Sequence, residues 1–313
     1  MYNDYSTSRI CVAGVGAIGT VIATMIGQRY ESGLSLFARG KRAEALKKDG
    51  LVLHSDFYGE RTARPAKVSN DAEELGEQDF VLVCVKNYAL DAIARQLRPC
   101  IGPNTVITPV MNGIEAADWL RELFPEAIVS DAVIYSATGM NEDFSATQRG
   151  NYAHVFIGCK DQDERQQQGA RKLCEMLASA GFDSRFSDAI ESENWQKFVH
   201  NCAFNTITAR YLFTSGQLRR DERCRRDLRS ILEEGYAVAK ACGIDMPDDF
   251  VDKKFVFTTQ TQAESATSSM RQDVEAGRPT ELDAFLGALL RKAQQHGVAV
   301  QVAEEYYEAL SRK

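Results

Sequence analysis

One stretch of the chain carries the residues best suited to chemistry. In ENWQKFVHNCAFNTITA (193–209), a lysine and two asparagines recur every four residues, at Lys197, Asn201 and Asn205. This spacing places side chains one above the other on an α-helix, so the three polar groups line one face over about 12 Å. An ammonium group donates protons and stabilises negative charge on oxygen, while amides orient a bound molecule.

The neighbours of this stripe favour a functional face over a plain surface. They are apolar, among them Phe198, Val199 and Cys202, and a lysine buried in such company without partners is costly. The alternative is that the stripe is the solvent-exposed side of the helix. A solvent-exposed side usually mixes Glu with Lys, whereas this one carries amides, so we favour a site and keep the alternative open.

A second polar cluster lies in SSMRQDVEAGRPTELD (268–283). Ser268 and Ser269 precede a helical pattern that Pro279 ends, and Glu281 falls in the first turn of the next helix. Taken alone, Glu281 is explained equally well as a carboxylate stabilising a helix start. The cluster is therefore a candidate site whose role the spacing leaves open.

The N-terminal region carries a dinucleotide-binding fingerprint between a strand pattern and a helix pattern. The fingerprint is Gly14-x-Gly16-x-x-Gly19 within GVGAIG. The first glycine permits a tight turn, the second lets the backbone approach a pyrophosphate, and the third allows close helix–strand packing. The alternative is an ordinary tight turn. We expect the cofactor to bind along this loop, at Gly14, Gly16, Ala17, Ile18 and Gly19.

The end of the second predicted strand indicates which dinucleotide binds. An NAD-specific site usually has Asp or Glu there to bind the ribose hydroxyls, but this chain has Arg39, followed by Lys41 and Arg42. A guanidinium can bind a 2′-phosphate through charge-assisted hydrogen bonds. The alternative is a solvated basic turn. We predict NADP(H) as the cofactor, with Arg39 on its phosphate.

Strand and helix patterns alternate along the first half of the chain. Strands are predicted at 9–15, 34–39, 79–85, 105–110, 127–135 and 153–158, helices at 17–30 and 41–48, and a hairpin around 51–54. This alternation predicts an α/β fold with a doubly wound parallel sheet, Rossmann-like, with right-handed crossovers.

From Asp188 onward the pattern is almost entirely helical, with long helices predicted over 190–212, 222–242 and 281–296. We therefore predict two domains. Residues 1–187 form the NADP(H)-binding Rossmann-like domain, and residues 188–313 form an all-helical domain for substrate binding and catalysis. The polar stretch MYNDYSTS (1–8) is expected to be a disordered leader, not a signal peptide.

Composition excludes several classes of protein. The net charge of −7 disfavours a nucleic-acid partner, and no apolar run reaches the roughly 18–20 residues that span a bilayer, so no membrane partner is expected. The four histidines are dispersed without metal-ligand spacing. Eight scattered cysteines without a C-x-x-C pair are typical of reduced thiols in a cytoplasmic protein.

With these residues in view, the chain resembles the ketopantoate reductase (2-dehydropantoate 2-reductase) family from Arg9 to the C-terminal helix. The resemblance rests on motifs in a fixed order: GVGAIG (14–19), VCVK ending in Lys86, MNG with Asn112, the lysine–asparagine helix, and SSMRQD followed by TELD. It implies reduction of ketopantoate to pantoate by NADPH on the route to pantothenate and coenzyme A, with a Rossmann-like N-terminal domain, a helical C-terminal domain and the site in the cleft.

The resemblance also implies roles for individual residues. Lys197 would be the catalytic lysine, Asn201 and Asn205 would bind substrate, and Ser269 would hold the substrate carboxylate. Glu281 would contact the cofactor and help position the lysine. Lys86 and Asn112 would contact the cofactor near the nicotinamide, with Asn112 also on the substrate.

One departure from the family leaves the substrate open. Some members have Asn before the glycine in the stretch after the lysine helix, where this chain has Ser215. An alternative is therefore a reductase of a different small 2-oxo acid. A separate alternative is a non-catalytic NADP(H) sensor, although a sensor would not need the lysine–asparagine helix. His200 as the acid is set aside, because it points about 100° away from the lysine face. A homodimer through the helical domain is also considered.

Overall fold

The computed structural model describes residues 4–312, which divide into two compact units. The first holds residues 4–111 and 116–190, and the second holds 112–115 and 191–312. The division after residue 190 lies three residues beyond the boundary that we predicted from the change to a helical pattern. The short segment 112–115, in the middle of the α/β region of the sequence, belongs to the helical unit.

A six-stranded parallel sheet is the centre of the first unit. Its strands are β1 (Ile10–Ala13), β2 (Leu34–Phe37), β5 (Lys67–Ser69), β6 (Phe80–Val83), β7 (Val106–Pro109) and β8 (Ile128–Val129). Their spatial order is β5-β2-β1-β6-β7-β8, and every neighbouring pair is parallel. This is the strand order of a doubly wound dinucleotide-binding sheet. The predicted fold class is confirmed.

Helices cover this sheet, as its continuously apolar strands require. They are α1 (Ala17–Tyr30), α2 (Gly40–Asp49), α3 (Ala72–Leu75), α4 (Leu90–Gln96), α5 (Ala116–Leu123) and α6 (Glu164–Ser179). Helix α1 occupies the predicted range 17–30 and is buried on nearly all sides. Such a helix needs partners all round, and α1 packs against strands of both this sheet and a second one.

The second sheet of the first unit departs from the purely parallel arrangement that we predicted. It contains β3 (Leu51–Ser55), β4 (Arg61–Ala63), β9 (Asp131–Met140), β10 (Ala146–Gly158) and β11 (Asp183–Phe186). Strands β3 and β4 form the predicted hairpin, and β9 and β10 form a longer one. The predicted strand 127–135 is split, because the chain leaves the first sheet after β8 and enters the second at β9.

The second unit is helical around one apolar core. Its helices are α7 (Ile190–Tyr211), α8 (Ser215–Arg220), α9 (Glu222–Ala241), α10 (Phe250–Val256), α11 (Ser269–Glu275), α12 (Ala288–His296) and α13 (Gln301–Ser311). Two π-helical segments, Phe257–Thr261 and Asp283–Gly287, extend α10 and precede α12. The core includes Phe198, Val199 and Cys202 of α7.

The prediction that residues 1–8 are disordered is wrong for residues 4–8. Tyr5 is buried, its ring meets Phe80 edge-on at 5.9 Å, and its hydroxyl donates to Glu175 at 3.0 Å. The buried ring and its hydrogen-bonded hydroxyl hold this segment against the first unit. Residues 1–3 lie outside the described residues.

The cysteines are free thiols, and seven of the eight are buried. Burial raises the pKa of the Cys84 thiol to about 12, so this thiol stays protonated and unreactive at neutral pH. Within residues 4–312, no helix has the length and apolar character needed to cross a membrane.

Candidate active site

The glycine loop connects β1 to α1 and leaves room for a ligand. Gly14 has φ of +86°, and a Cβ there would meet Val85 Cγ1 at 2.5 Å and the Cys84 carbonyl oxygen at 2.7 Å. A Cβ on Gly19 would collide with the carbonyl oxygen of Gly14. These two glycines are required by the packing of the protein itself.

Gly16 differs, since a Cβ there would meet no protein atom within 4 Å. The open space lies at the N-terminus of α1, where Gly16 is the N-cap and Ala17 and Ile18 are the first helical residues. The first N–H groups of a helix have no acceptor within it and attract anions. Open space and free N–H donors at a helix start are the features with which such a glycine loop can hold a pyrophosphate.

A cavity of about 500 Å³ opens beside the glycine loop, a volume typical of ligand sites. Its walls come from the segments that follow the parallel strands, from α4 and from the β9–β10 hairpin. The lining includes Gly14, Gly16, Ala38, Arg39, Asn70, Val85, Ile93, Met140 and Phe144. Lys86 follows β6 at the same carboxyl edge of the sheet and is half-buried.

The basic residues after β2 have different roles. The guanidinium of Arg42 donates to the carbonyl oxygens of Val15 and Phe144 and to Thr20 Oγ1, each at 2.8 Å. Burial lowers the pKa of Arg42 to about 10. Arg39 is exposed and lines the cavity. Arg42 thus braces the loop, and Arg39 keeps its guanidinium available to a ligand.

In the second unit, one asparagine joins the predicted lysine to the predicted carboxylate. Lys197 Nζ donates to Asn112 Oδ1 at 3.2 Å, and Asn112 Nδ2 donates to Glu281 Oε2 at 3.2 Å. Glu281 is only 4% exposed, and Lys197 is half-buried. The structure therefore brings Asn112 together with two residues that lie 85 and 169 positions further along the chain.

This arrangement sets the acidity of the lysine. Burial lowers the pKa of Lys197 to about 8, and the charge of Glu281 partly opposes that fall. A pKa near the working pH suits a general acid, because the group is protonated and still gives up its proton readily.

The asparagines lie along the same helix as Lys197. Asn205 is buried at 6% exposure, and Asn201 is half-buried. One turn further on, Thr208 Oγ1 and Ser268 Oγ share a hydrogen bond of 2.7 Å. The burial of Asn205 excludes the alternative that this stripe is a solvent-exposed face.

The two serines of the second cluster separate in the structure. Ser268 is buried and caps α11, its hydroxyl accepting the Arg271 N–H at 3.0 Å. Ser269 is the first residue of α11 and is exposed. Ser268 is therefore a structural cap, and Ser269 is the serine available to a ligand.

Ser215, the departure noted in the sequence, is fully buried. Its hydroxyl donates to the Thr258 carbonyl oxygen at 3.2 Å, and its N–H donates to the Ala266 carbonyl oxygen at 2.9 Å. The residue thus fastens α8 to the segment that follows α10.

His200 is a packing residue. Its ring stacks on Phe204 with centroids 5.8 Å apart, and its Nε2 lies 3.0 Å from Thr258 Oγ1. Burial, reinforced by the charge of Lys254, lowers the pKa of His200 to about 3. At neutral pH the imidazole is therefore uncharged, and its remaining N–H is far too weakly acidic to serve as a general acid, in agreement with setting it aside.

The sequence did not indicate Arg291, which forms ion pairs with two segments of the lysine site. Its Nη2 lies 2.7 Å from Glu115 Oε2, and its Nη1 lies 3.0 Å from Asp283 Oδ1. Glu115 closely follows Asn112, and Asp283 closely follows Glu281. One guanidinium therefore anchors both segments that supply the partners of the lysine. Since its partners lie far apart in the chain, no local pattern signalled the role.

The parallel sheet, the glycine loop and the lysine site define a dinucleotide-binding oxidoreductase with a helical second unit. The family models described as ketopantoate reductase PanE/ApbA and its C-terminal region match residues 10–162 and 189–313. The chain belongs to the ketopantoate reductase family, whose members are nicotinamide-dependent oxidoreductases.

Individual relatives agree with this assignment. A 2-dehydropantoate 2-reductase from Mesorhizobium japonicum is 29% identical over 307 aligned residues, covering 90% of each chain. The crystal structure of a PanE/ApbA family ketopantoate reductase from Ralstonia eutropha has 27% identity and a TM-score of 0.86 over 97% of each chain. A D-mandelate dehydrogenase solved with NADH and anilino(oxo)acetate shares the fold, with 21% identity and a TM-score of 0.85 over 97% of each chain.

Proposed function

We propose that this protein reduces 2-dehydropantoate (ketopantoate) to pantoate with NADPH, as a step toward pantothenate and coenzyme A. The observation that carries the proposal is Asn112 between Lys197 and Glu281, which presents a lysine of lowered pKa beside a buried carboxylate. The family assignment and the name of the Mesorhizobium relative support the substrate.

When bound, NADPH supplies a hydride to C2 of the 2-oxo acid. Negative charge then develops on the ketone oxygen, where the Lys197 ammonium stabilises it and delivers the proton that completes the alcohol. Glu281 favours the protonated form of Lys197. The side-chain oxygen of Asn112 accepts a hydrogen bond from the ammonium and so fixes its position.

The remaining candidate residues bind and orient. In this proposal Asn201 and Asn205 position the substrate, and Ser269 receives its carboxylate. On the cofactor side, Gly14, Gly16, Ala17, Ile18 and Gly19 hold the pyrophosphate and Arg39 holds the 2′-phosphate. Lys86 and Asn112 contact the cofactor near the nicotinamide, Asn112 also contacts the substrate, and Glu281 contacts the cofactor.

A panel of 2-oxo acids tests the proposal, with oxidation of NADPH and NADH followed in parallel. We expect the highest kcat/KM for ketopantoate with NADPH. A higher kcat/KM for another 2-oxo acid would replace the substrate and keep the reaction class. Tight NADPH binding without turnover of any 2-oxo acid would show a sensor and overturn the proposal.

The choice of cofactor is tested at Arg39. Arg39→Asp is expected to lower the preference for NADPH over NADH by about 10- to 100-fold, because a charge-assisted hydrogen bond contributes about 1.5–3 kcal/mol. The measurement is the ratio of kcat/KM for the two cofactors. Lys48→Asp, at the exposed far end of α2, makes the same charge change as a control. An Arg39→Asp enzyme with the preference of the wild type would contradict the assignment.

We place the reaction in the cytoplasm, an assignment supported by the eight free thiols. A homodimer through the helical unit stays a prediction. Its test is the molar mass in solution.

A further inference from the structure

We propose that the tip of the β9–β10 hairpin (residues 141–145) is part of the cofactor site, with the Phe144 ring forming one wall of the adenosine subsite. The proposal starts from the position of the hairpin tip beside the glycine loop. Phe144 lines the same cavity as Gly14, Gly16 and Arg39, although it lies in the turn that joins two strands of the second sheet and not in the dinucleotide-binding sheet. The inference rests on the proposed binding of NADP(H).

The cavity lies at the adenosine end of the site. Ala38 and Arg39 follow β2, and Asn70 follows β5, the two strands on the outer side of β1. In a doubly wound sheet, the residue at the end of the second strand binds the ribose of the adenosine half. A side chain that shares a wall with Arg39 therefore faces the adenosine half of the cofactor.

The hairpin tip is tied directly to the glycine loop. Arg42 donates to the Phe144 carbonyl oxygen and to the Val15 carbonyl oxygen, both at 2.8 Å. Its guanidinium carbon lies 5.8 Å from the centroid of the Phe144 ring. One side chain thus holds the ring and the pyrophosphate loop in a common frame.

The backbone conformation at Phe144 supports a binding role for its ring. Phe144 has φ of +65°, in the left-handed region that disfavours bulky side chains and that glycine or asparagine occupies readily. The turn itself is closed by backbone hydrogen bonds between residues 141, 144 and 145, which glycine at position 144 would form equally well. A phenylalanine here is explained by a ring facing the cavity.

The surrounding wall has the chemistry that a purine base requires. Met140 lies on the same hairpin, and Val85 and Ile93 also line the cavity. Aromatic rings stack on bases of any identity, and thioethers make favourable contacts with ring edges. The wall recognises a flat heterocycle by its face, while Arg39 recognises the attached phosphate.

Titrations of the full-length protein with half-cofactors test the proposal. Phe144→Gly is expected to raise the Kd for 2′,5′-ADP and for NADPH by about 5- to 100-fold, the range for losing one base–aromatic stack. The Kd for nicotinamide mononucleotide should stay unchanged. Phe144→Tyr, which keeps the ring, should bind both adenosine ligands like the wild type.

The glycine variant also separates a binding role from a structural one. Glycine adopts this φ without strain, which offsets the lost contact between the ring and Arg42, so the variant should stay folded with a Tm close to that of the wild type. Phe57→Gly, at an exposed aromatic residue in the β3–β4 hairpin, is the control and should leave every Kd unchanged. An unchanged Kd for 2′,5′-ADP in Phe144→Gly would overturn the proposal, as would equal weakening of all three ligands or no 2′,5′-ADP binding by the wild type. Adenosine-ligand weakening in an enzyme that reduces no 2-oxo acid would support the wall and reject only the proposed reaction.

Discussion

Replacement of Lys197 by alanine is expected to lower kcat for 2-oxo acid reduction by about 10²–10⁴-fold, the range typical of removing a general acid. The ketone oxygen gains negative charge as the hydride arrives, and Lys197 is the group we assign to neutralise it. Asn112 and Glu281 remain in the variant, but neither replaces the missing ammonium. The measurement is kcat at saturating substrate and NADPH, at neutral pH.

The thermal stability of a second variant, Lys197→Met, distinguishes a chemical role of the lysine from a structural one. Burial lowers the pKa of Lys197 from 10.5 to about 8 in the folded protein. The folded state therefore binds this proton more weakly than the unfolded state, and stability rises with pH between those two values. At pH 7 the ammonium is a cost to folding, so Lys197→Met, which keeps much of the side-chain volume, should unfold at the same temperature or higher.

Lys254 provides the matched control. It lies on α10, and burial lowers its pKa as it does that of Lys197. Lys254→Ala is expected to leave kcat within about threefold of the wild type, since Lys254 is not among the residues assigned to the substrate, the cofactor or the proton transfer. Wild-type turnover in Lys197→Ala, with the fold intact, would contradict the assignment of this residue as the proton donor.

The parts of the fold that follow local rules were predictable from the sequence. The parallel strands are continuous apolar runs, and α1 starts at its fingerprint glycines, so periodicity and turn chemistry located both. The β9–β10 hairpin was only partly predicted. Its stretch 136–152 is rich in glycine, asparagine and serine and is typical of a loop. Its strand character comes from pairing with the partner strand, including a register shift between Arg149 and Ala153.

The candidate site divides in the same way. The spacing of Lys197, Asn201 and Asn205 was readable because one helix supplies all three. The link from Lys197 through Asn112 to Glu281 was not, because three distant segments meet there. The family resemblance indicated Glu281 as a partner of the lysine, but nothing indicated Asn112 between them. Phe144 gave no signal at all, since a positive φ and a cavity wall are properties of the folded chain.

Replacement of Glu281 by glutamine is expected to shift the pH dependence of the reaction toward lower pH. In the wild type, kcat/KM for reduction should be constant below about pH 8 and fall about tenfold per pH unit above it, because the ammonium form of Lys197 is required. Glu281 raises the pKa of Lys197 and burial lowers it. Without the carboxylate only the lowering effect remains, so the decline should begin below pH 8.

The glutamine variant isolates the charge from the hydrogen bond. Its side-chain oxygen still accepts from Asn112 Nδ2, so the geometry around the lysine is kept while the negative charge is lost. The loss of activity should therefore be larger at pH 8 than at pH 6, whereas a purely structural defect lowers both alike. Glu308→Gln, at an exposed carboxylate on α13, removes the same charge and should leave the profile in place. A decline that stays at the wild-type pH, or moves upward, would show that Glu281 does not govern the proton on Lys197.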